Sequence, residues 1–557
     1  MLALPDTEQR KQIMAVALGQ AAPDLVVNDC TLLNVYSGEL LANNAIAICD
    51  RWVAWVGSSG SHGVGPDTPV IDASGKTVIP GLIDGHTHLA WLFRIDAFLE
   101  KVIPGGTTTI VTETLEPYPV GGVAGVVDFL DSLTNQPIKI LATAPPMVSN
   151  SRVARGIQPA DLDALLDRDD ILGLGETYWQ AALQEPDTYL PLMQQSLAAG
   201  KCLEGHSAGA SYDKLCAYAS LGISSCHEPI TADEALQRLR LGLWVMIREG
   251  SIRRDLEAIS SLKARDLDYR RLVLVTDGVS PQELLVQGYM ETVVQRAIDY
   301  GLNPVKAIQM ATLNVAEHFG LDGHIGAVAP GKQADFLIIP DLNTIRPEVV
   351  VSMGKVIARN GSAVMPPRVH VYSDHSRKSV KIACNLPMEH FAISASGSEA
   401  RMRAIAMVTD LVTREIAVTL PVENGLVKIG SQADIVKVAA VDRTLSPGKT
   451  FTGLIQGFGL HHGAFACSAG WDTTDIVVIG ANDADMARCV NRIADLQGGV
   501  VVSMDGEVTA ELALPIFGLI SDLPIDTLAS KLDAITESVC DLGVSFRDPL
   551  LSLIALT

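Results

Sequence analysis

The sequence predicts an α/β protein: a (β/α)8 barrel carrying a small β-sheet domain in two pieces and a C-terminal α+β domain. Three observations carry that reading. From about residue 81 to 320, short apolar runs alternate with helix-patterned stretches, and the runs number eight, as a closed parallel barrel requires. Apolar alternation returns just after the barrel, in ADFLIIP and PEVVVSMGKVIARNG, and resembles the β-rich runs that precede it. Beyond about residue 366, strands mix with helices over a length sufficient for a separate domain.

The elements follow in order. Residues 24–79 hold DLVVNDCTLLNVY, NNAIAICDRWVAWVG and TPVIDASGKTVI, cut by Gly, Asn and Asp as in a small antiparallel sheet. The barrel strands are the segment leading into IDGHTHLA, then TTTIVTET, KILATAPP, ILGLGET, KCLEGHS, ISSCHE, LWVMIREG and RLVLVTDG, with helical stretches such as DLDALLDR and TADEALQRLRLG between them. The C-terminal part offers strands in ENGLVKIGSQADIVKVAAV and TDIVVIGA, and helices in ADMARCVNRIADL and IDTLASKLDAI. The expected division is 1–79 and 321–365 for the small β domain, 80–320 for the barrel and 366–557 for the last domain.

Composition narrows the function. With 42 basic and 64 acidic residues the formal charge is −22, which argues against nucleic acid as a partner. The nine cysteines are scattered without a CxxC pair, as in a reducing compartment. The segment MLALPDTEQRKQ lacks a signal-peptide pattern, and no run of about 18 apolar residues occurs. A cytoplasmic protein with no membrane partner is expected.

The chemistry is concentrated at strand ends. His86 and His88 in PGLIDGHTHLA alternate on one strand, so both side chains can project to one metal. A lone His-x-His is weak, since two surface histidines read the same way. Glu176 ends ILGLGE, His206 ends KCLEGH, His227 ends ISSCH and Asp277 ends LVLVTD. All lie at strand C-termini, the barrel face where active sites are built. Imidazole and carboxylate donors together suit Zn, Mn or Fe.

Longer segments carry a resemblance. PGLIDGHTHL, GLGE, EGHSAG, CHEPITADEALQRLRLGLWVMIREGS, MATLNVAEHFGL, GAVAPGKQADFLII, LIQGFGL and VVIGANDADMARCVNRI, spread over nearly the whole chain, resemble the amidohydrolase superfamily and more closely its adenine deaminase branch. The resemblance implies a metal-dependent hydrolase with two divalent ions. His86 and His88 would hold one ion, Glu176 would bridge, His206 and His227 would hold the second, and Asp277 would bind metal and shuttle a proton. Glu228, next to His227, reads as a catalytic acid or orienting group, or equally as a loop carboxylate. Arg248 and Ser251 in IREGS fall where the family places substrate-side residues, although a salt bridge closing the barrel reads the same. Cys226 should face away from His227 as a small core residue.

The chain also departs from the branch. Where the branch carries a Glu-Ser-Ser closely after His-x-His, His88 is followed here by Leu89-Ala90-Trp91-Leu92, and its Asp-Pro-His-Glu reads Glu113-Thr114-Leu115-Glu116. A paired Asp-Asp becomes Asp277-Gly278, Glu-Gly-His becomes Gln287-Gly288-Tyr289, and His-Asp-Ser-His becomes Trp471-Asp472-Thr473-Thr474. Aromatic residues are gained at Trp91, Tyr118, Tyr178, Trp179 and Trp471. Glu116, Trp91, Tyr178, Arg248, Ser251 and Trp471 are therefore expected to face the substrate, Trp471 by way of a C-terminal domain leaning over the barrel mouth. The expected function is hydrolysis of a C–N bond in a small cyclic nitrogen compound, by deamination or cyclic amide opening, in a homo-oligomer. The alternatives are true adenine deamination and, from another class, a metal-binding protein without catalysis.

Overall fold

The computed structural model describes residues 4–60, 62–146, 156–382, 385–429, 434–471, 473 and 475–556. Its centre is a ring of eight strands: Leu82–Thr87, Thr107–Thr112, Lys139–Ala144, Ile171–Tyr178, Cys202–His206, Ser225–Cys226, Trp244–Arg248 and Leu272–Val275. Parallel ladders run in chain order through the first five and through the last three. Two gaps remain, and a backbone hydrogen bond crosses each: the Ser224 amide donates to the Leu203 carbonyl at 2.9 Å, and the Asp277 amide donates to the His86 carbonyl at 3.0 Å. Strands such as Thr107–Thr112 and Lys139–Ala144 are buried along their whole length, as helix-covered parallel strands must be.

The sixth strand is shorter than ISSCHE suggests, only Ser225–Cys226. Past it the Glu228 amide turns back onto Cys226 Sγ at 3.3 Å, and Pro229 has no N–H for a ladder. His227 therefore sits on the turn rather than in the strand. Cys226 is fully buried against Ser207 Oγ at 2.9 Å and Arg238 Nε at 3.4 Å, away from the barrel mouth.

The small β domain is one nine-stranded sheet made from both flanks of the barrel. Thr77–Pro80 pairs antiparallel with Phe336–Ile339, with Phe336 opposite Pro80 and Leu337 opposite Ile79. Gly81 is the hinge from this sheet into the barrel; a Cβ there would run into the Thr108 side chain. Lys139 Nζ, at the base of the third barrel strand, donates to Asp335 Oδ1 at 2.7 Å in a buried ion pair that fixes the sheet under the barrel. An N-terminal helix, Thr7–Ala17, packs on this sheet through Ile13 and Val16, and a capping box starts it: Asp6 accepts from the Glu8 and Gln9 amides and the Gln9 side chain accepts from the Asp6 amide.

The C-terminal domain is a second nine-stranded sheet with helices Asp483–Leu496, Ile525–Asp541 and Pro549–Ile554. It is joined to the barrel mouth. Helix Ile525–Asp541 packs on Pro281–Gln287, Arg547 reaches Glu283 at 3.2 Å, and Leu92 pairs with the segment around Leu519: its amide donates to the Leu519 carbonyl and its carbonyl accepts from the Ser521 amide, each at 2.9 Å. Leu92 adopts φ 67°, a left-handed conformation that a leucine holds only when its surroundings enforce it. Among the described residues, no helix is long and apolar enough to cross a membrane.

Candidate metal centre

The strand-end residues converge. Glu176 Oε1 lies 3.1 Å from His86 Nε2, 3.3 Å from His88 Nε2 and 3.2 Å from His227 Nε2. Asp277 Oδ1 lies 3.2 Å from His86 Nε2 and 3.5 Å from His88 Nε2. Two ligand sets result: His86, His88, Glu176 and Asp277, all buried, and Glu176 with His206 and His227. Glu176 is common to both. Ligand atoms about 2.1 Å from a shared tetrahedral ion stand about 3.4 Å apart. The observed spacings match that edge length.

Electrostatics point the same way. Burial opposes charge on His88 and His227, yet Glu116 and Glu176 respectively, joined by the other carboxylates, raise both imidazoles well above their ordinary value. Burial likewise opposes ionisation of Glu176 and Asp277; the surrounding imidazoles, and Arg248 in the case of Asp277, outweigh it and hold both well below the usual range. Anionic oxygens in a water-poor pocket draw protons onto His86, His88 and His227 unless cations take that place, whereas at His206 burial outweighs Glu228 and lowers the imidazole. The cluster is a divalent metal site.

The imidazoles are held from behind. His88 Nδ1 meets Glu116 Oε1 at 2.6 Å and His86 Nδ1 lies 3.6 Å from Glu113 Oε1, which leaves each Nε2 facing the centre. Glu113, buried and pushed up to about 7 by that burial, also accepts from the Glu176 amide at 3.4 Å. It is a residue the sequence reading passed over as part of an altered motif. Its signal was present: it ends the second strand just as Glu176 ends the fourth. Gly175 makes room for it, since a Cβ there would strike the Glu113 carboxylate.

Glu228 and Arg248 complete one wall. Glu228 Oε1 is 3.3 Å from both His206 Nε2 and His227 Nε2, and Arg248 Nη1 donates to it at 2.5 Å. Arg248 Nε donates to Asp255 Oδ2 at 2.9 Å, and Nη1 is 3.5 Å from Asp277 Oδ2. The salt bridge and the site are thus the same structure. Trp471, from the C-terminal domain, stacks over His88 with centroids 6.0 Å apart and meets Trp91 edge-on at 5.8 Å. Tyr178 lies 4.4 Å from the His206 ring.

Several expectations need correction. Glu116, expected on the substrate side, is turned to His88 with its side chain fully enclosed. Ser251 is occupied by loop structure: Oγ donates to Glu283 Oε2 at 2.6 Å and accepts from the Ser280 amide at 2.7 Å. It lines a cleft beside the site rather than the ligand cluster. Of the other gained aromatics, for which no substrate contact was expected, Tyr118 donates to Asp161 and Trp179 to the Ala208 carbonyl. Asp472 and Thr474 lie outside the described residues.

A buried histidine–carboxylate cluster at the C-terminal mouth of a (β/α)8 barrel defines a metal-dependent hydrolase. The amidohydrolase family pattern matches residues 77–362, and that of the adenine deaminase C-terminal domain matches 410–557. The chain is similar to an adenine deaminase of Moorella thermoacetica (37% identity, 99% of this chain and 94% of the relative) and to adenine deaminase 3 of Rhizobium meliloti (34%, 99% and 95%). The β-aspartyl dipeptidase of Fervidobacterium islandicum AW-1 shares the fold, at TM-score 0.50 and 16% identity over 62% of this chain and 98% of that one. The chain belongs to the amidohydrolase family, as an adenine-deaminase-like member that acts on C–N bonds.

Proposed function

We propose that the protein hydrolyses a C–N bond of a small cyclic nitrogen compound with two divalent ions, Mn, Zn or Fe, held by His86, His88, Glu176, His206, His227 and Asp277. The observation that carries this reading is one carboxylate oxygen, Glu176 Oε1, with three imidazole nitrogens within 3.3 Å of it. Divalent ions bound there supply Lewis acidity, which makes hydroxide available near neutral pH and polarises the bond under attack. The protein's own groups do the rest. Glu116 holds His88 in one tautomer through its 2.6 Å contact with Nδ1, and Glu113 stands 3.6 Å behind His86 Nδ1. Asp277 takes the proton of the attacking water at Oδ2, the oxygen facing Arg248, and returns it to the leaving nitrogen. Glu228, pinned by Arg248, orients the side of the site formed by His206 and His227.

Trp471 and Trp91 give the site a flat aromatic wall where the adenine deaminase branch carries polar groups, which favours a ring other than adenine. A second reading, adenine deamination itself, is supported by 37% identity over 99% of the chain. Ammonia release from adenine, measured against ring opening in a panel of cyclic amides and imides, separates them. Metal analysis of active protein is expected to give about two divalent ions per chain; activity with fewer than one would overturn the mechanism. A cytoplasmic homo-oligomer is part of the proposal, and sedimentation of purified protein tests its assembly.

A further inference from the structure

Two backbone irregularities aim the cluster. On the first strand the pairing with the second slips register between Asp84 and Thr87, a bulge that turns His86 inward. On leaving the eighth, Asp277 takes φ 61°, a left-handed conformation that persists where its surroundings enforce it. One carboxylate braces both. Ile83 and Val275 pack with Val111, Leu141 and Met246 inside the barrel, so Asp84 and Thr276, each one residue further along, face outward behind the cluster. Both are fully buried. Asp84 Oδ1 accepts from the amides of His86 and Thr276, each at 3.2 Å, and Oδ2 accepts from the Thr276 hydroxyl at 2.6 Å. With its proton given to Asp84, Thr276 Oγ1 accepts from the Gly278 amide at 3.3 Å. The residues on either side of Asp277 are thereby tied to the carboxylate that fixes His86, and the Asp277 amide closes the ring on the His86 carbonyl. A desolvated carboxylate in this layer is costly to keep. Leu82, Ile110 and Leu274 fill the rest of it with apolar atoms.

We propose that Asp84 and Thr276 are positioning residues of the reaction, which lock the bulge at His86 and the turn at Asp277 into one register. Asp277 Oδ1 then meets the imidazoles of His86 and His88 while Oδ2 stays toward Arg248. Both side chains face away from the ligand atoms and act through Asp277 and His86. This rests on the proton-carrying role proposed for Asp277 and supplies what keeps that group aimed.

The test is a double-mutant cycle read in two ways. Thr276→Val keeps the shape of the side chain and removes the hydroxyl; Thr276→Ser keeps the hydroxyl. In the full chain loaded with Co(II), whose visible absorption reports ligand number and geometry, Thr276→Val should shift the spectrum in the direction that Asp277→Asn shifts it. Thr276→Ser should stay close to wild type, and Thr276→Val should add almost nothing once Asp277 is already Asn. On a cyclic amide, imide or purine that the wild type hydrolyses, kcat should follow the same pattern, falling about 10- to 100-fold for Thr276→Val with little change in KM. Asp84→Asn keeps an acceptor for the two amides and disturbs the bond to the hydroxyl. It should give smaller changes in the same direction, and it decides the matter if Thr276→Val fails to load metal. A wild-type spectrum and kcat in the variant that loads, with only a lower melting temperature, would overturn the inference, as would a loss that adds in full to that of Asp277→Asn. Should no cyclic nitrogen compound be hydrolysed, the proposed function falls, while the cobalt spectra still decide on the positioning.

Discussion

Asp277 sits at φ 61°, in the left-handed region, at the point where its amide closes the barrel onto His86. Asparagine tolerates that conformation nearly as well as aspartate, so Asp277→Asn changes the chemistry without straining the backbone. Turnover is expected to fall about 100- to 10,000-fold with little change in melting temperature; near-normal turnover would remove Asp277 as the proton carrier. Glu116 predicts a different phenotype. With only His88 to hold, Glu116→Gln should weaken metal affinity about 10- to 100-fold, read by competition with a chelator, and activity should recover in excess metal. The residues of the cluster were legible in the sequence because strand alternation and strand ends are local properties, visible as His86-Thr87-His88 and as polar residues closing apolar runs. Glu113 obeyed the same rule and was hidden by its reading as a lost motif. The direction in which Glu116 turns depends on the loop after the second strand, which no local pattern sets.

At the scale of elements, the barrel carries a further buried acid–base pair, below the site. Glu204, one inward position before His206 on the same strand, faces His318 at the end of helix Leu313–His318, with Nε2 to Oε1 at 2.9 Å, and it accepts from Ser225 Oγ at 2.7 Å. Burial opposes its ionisation, but the His318 charge and these hydrogen bonds lower it to about 2. An unfolded glutamate titrates at about 4.3. The stability contributed by Glu204 is therefore present above that value and is lost as pH falls through about 2. Chemical denaturation between pH 5 and 2 should show this loss, and Glu204→Gln should flatten it while costing roughly 3 kcal/mol at neutral pH by leaving the His318 partner unpaired. The number and order of barrel strands were legible because each is an apolar run bounded by turn residues. The two-residue sixth strand was not, since its length is set by the turn at Glu228-Pro229. The N-terminal helix was legible in principle: Asp6 and Gln9 spell a capping box ahead of a polar stretch too weakly amphipathic to announce itself.

At the scale of the molecule, the C-terminal domain supplies one wall of the site. Deleting residues beyond 366 removes Trp471 and the partners of Leu92 while leaving every proposed metal ligand in place. Such a truncated chain is expected to bind metal but lose substrate affinity; an unchanged Michaelis constant would take Trp471 out of the site. The pairing of Leu92 with Leu519 and Ser521 reaches further. It places the conformation of the loop carrying Trp91 under the joint control of two regions more than 400 residues apart in sequence. Behind that contact, buried Arg443 grips the Phe517 carbonyl at 2.8 Å and the Ser468 carbonyl at 3.1 Å, so the grip on Leu92 is rigid. The domains are therefore poor currency for recombination. A chimera that joins this barrel to the last domain of a relative inherits only half of a joint, and its loop should relax until the residues facing Leu92 are exchanged along with the loop itself.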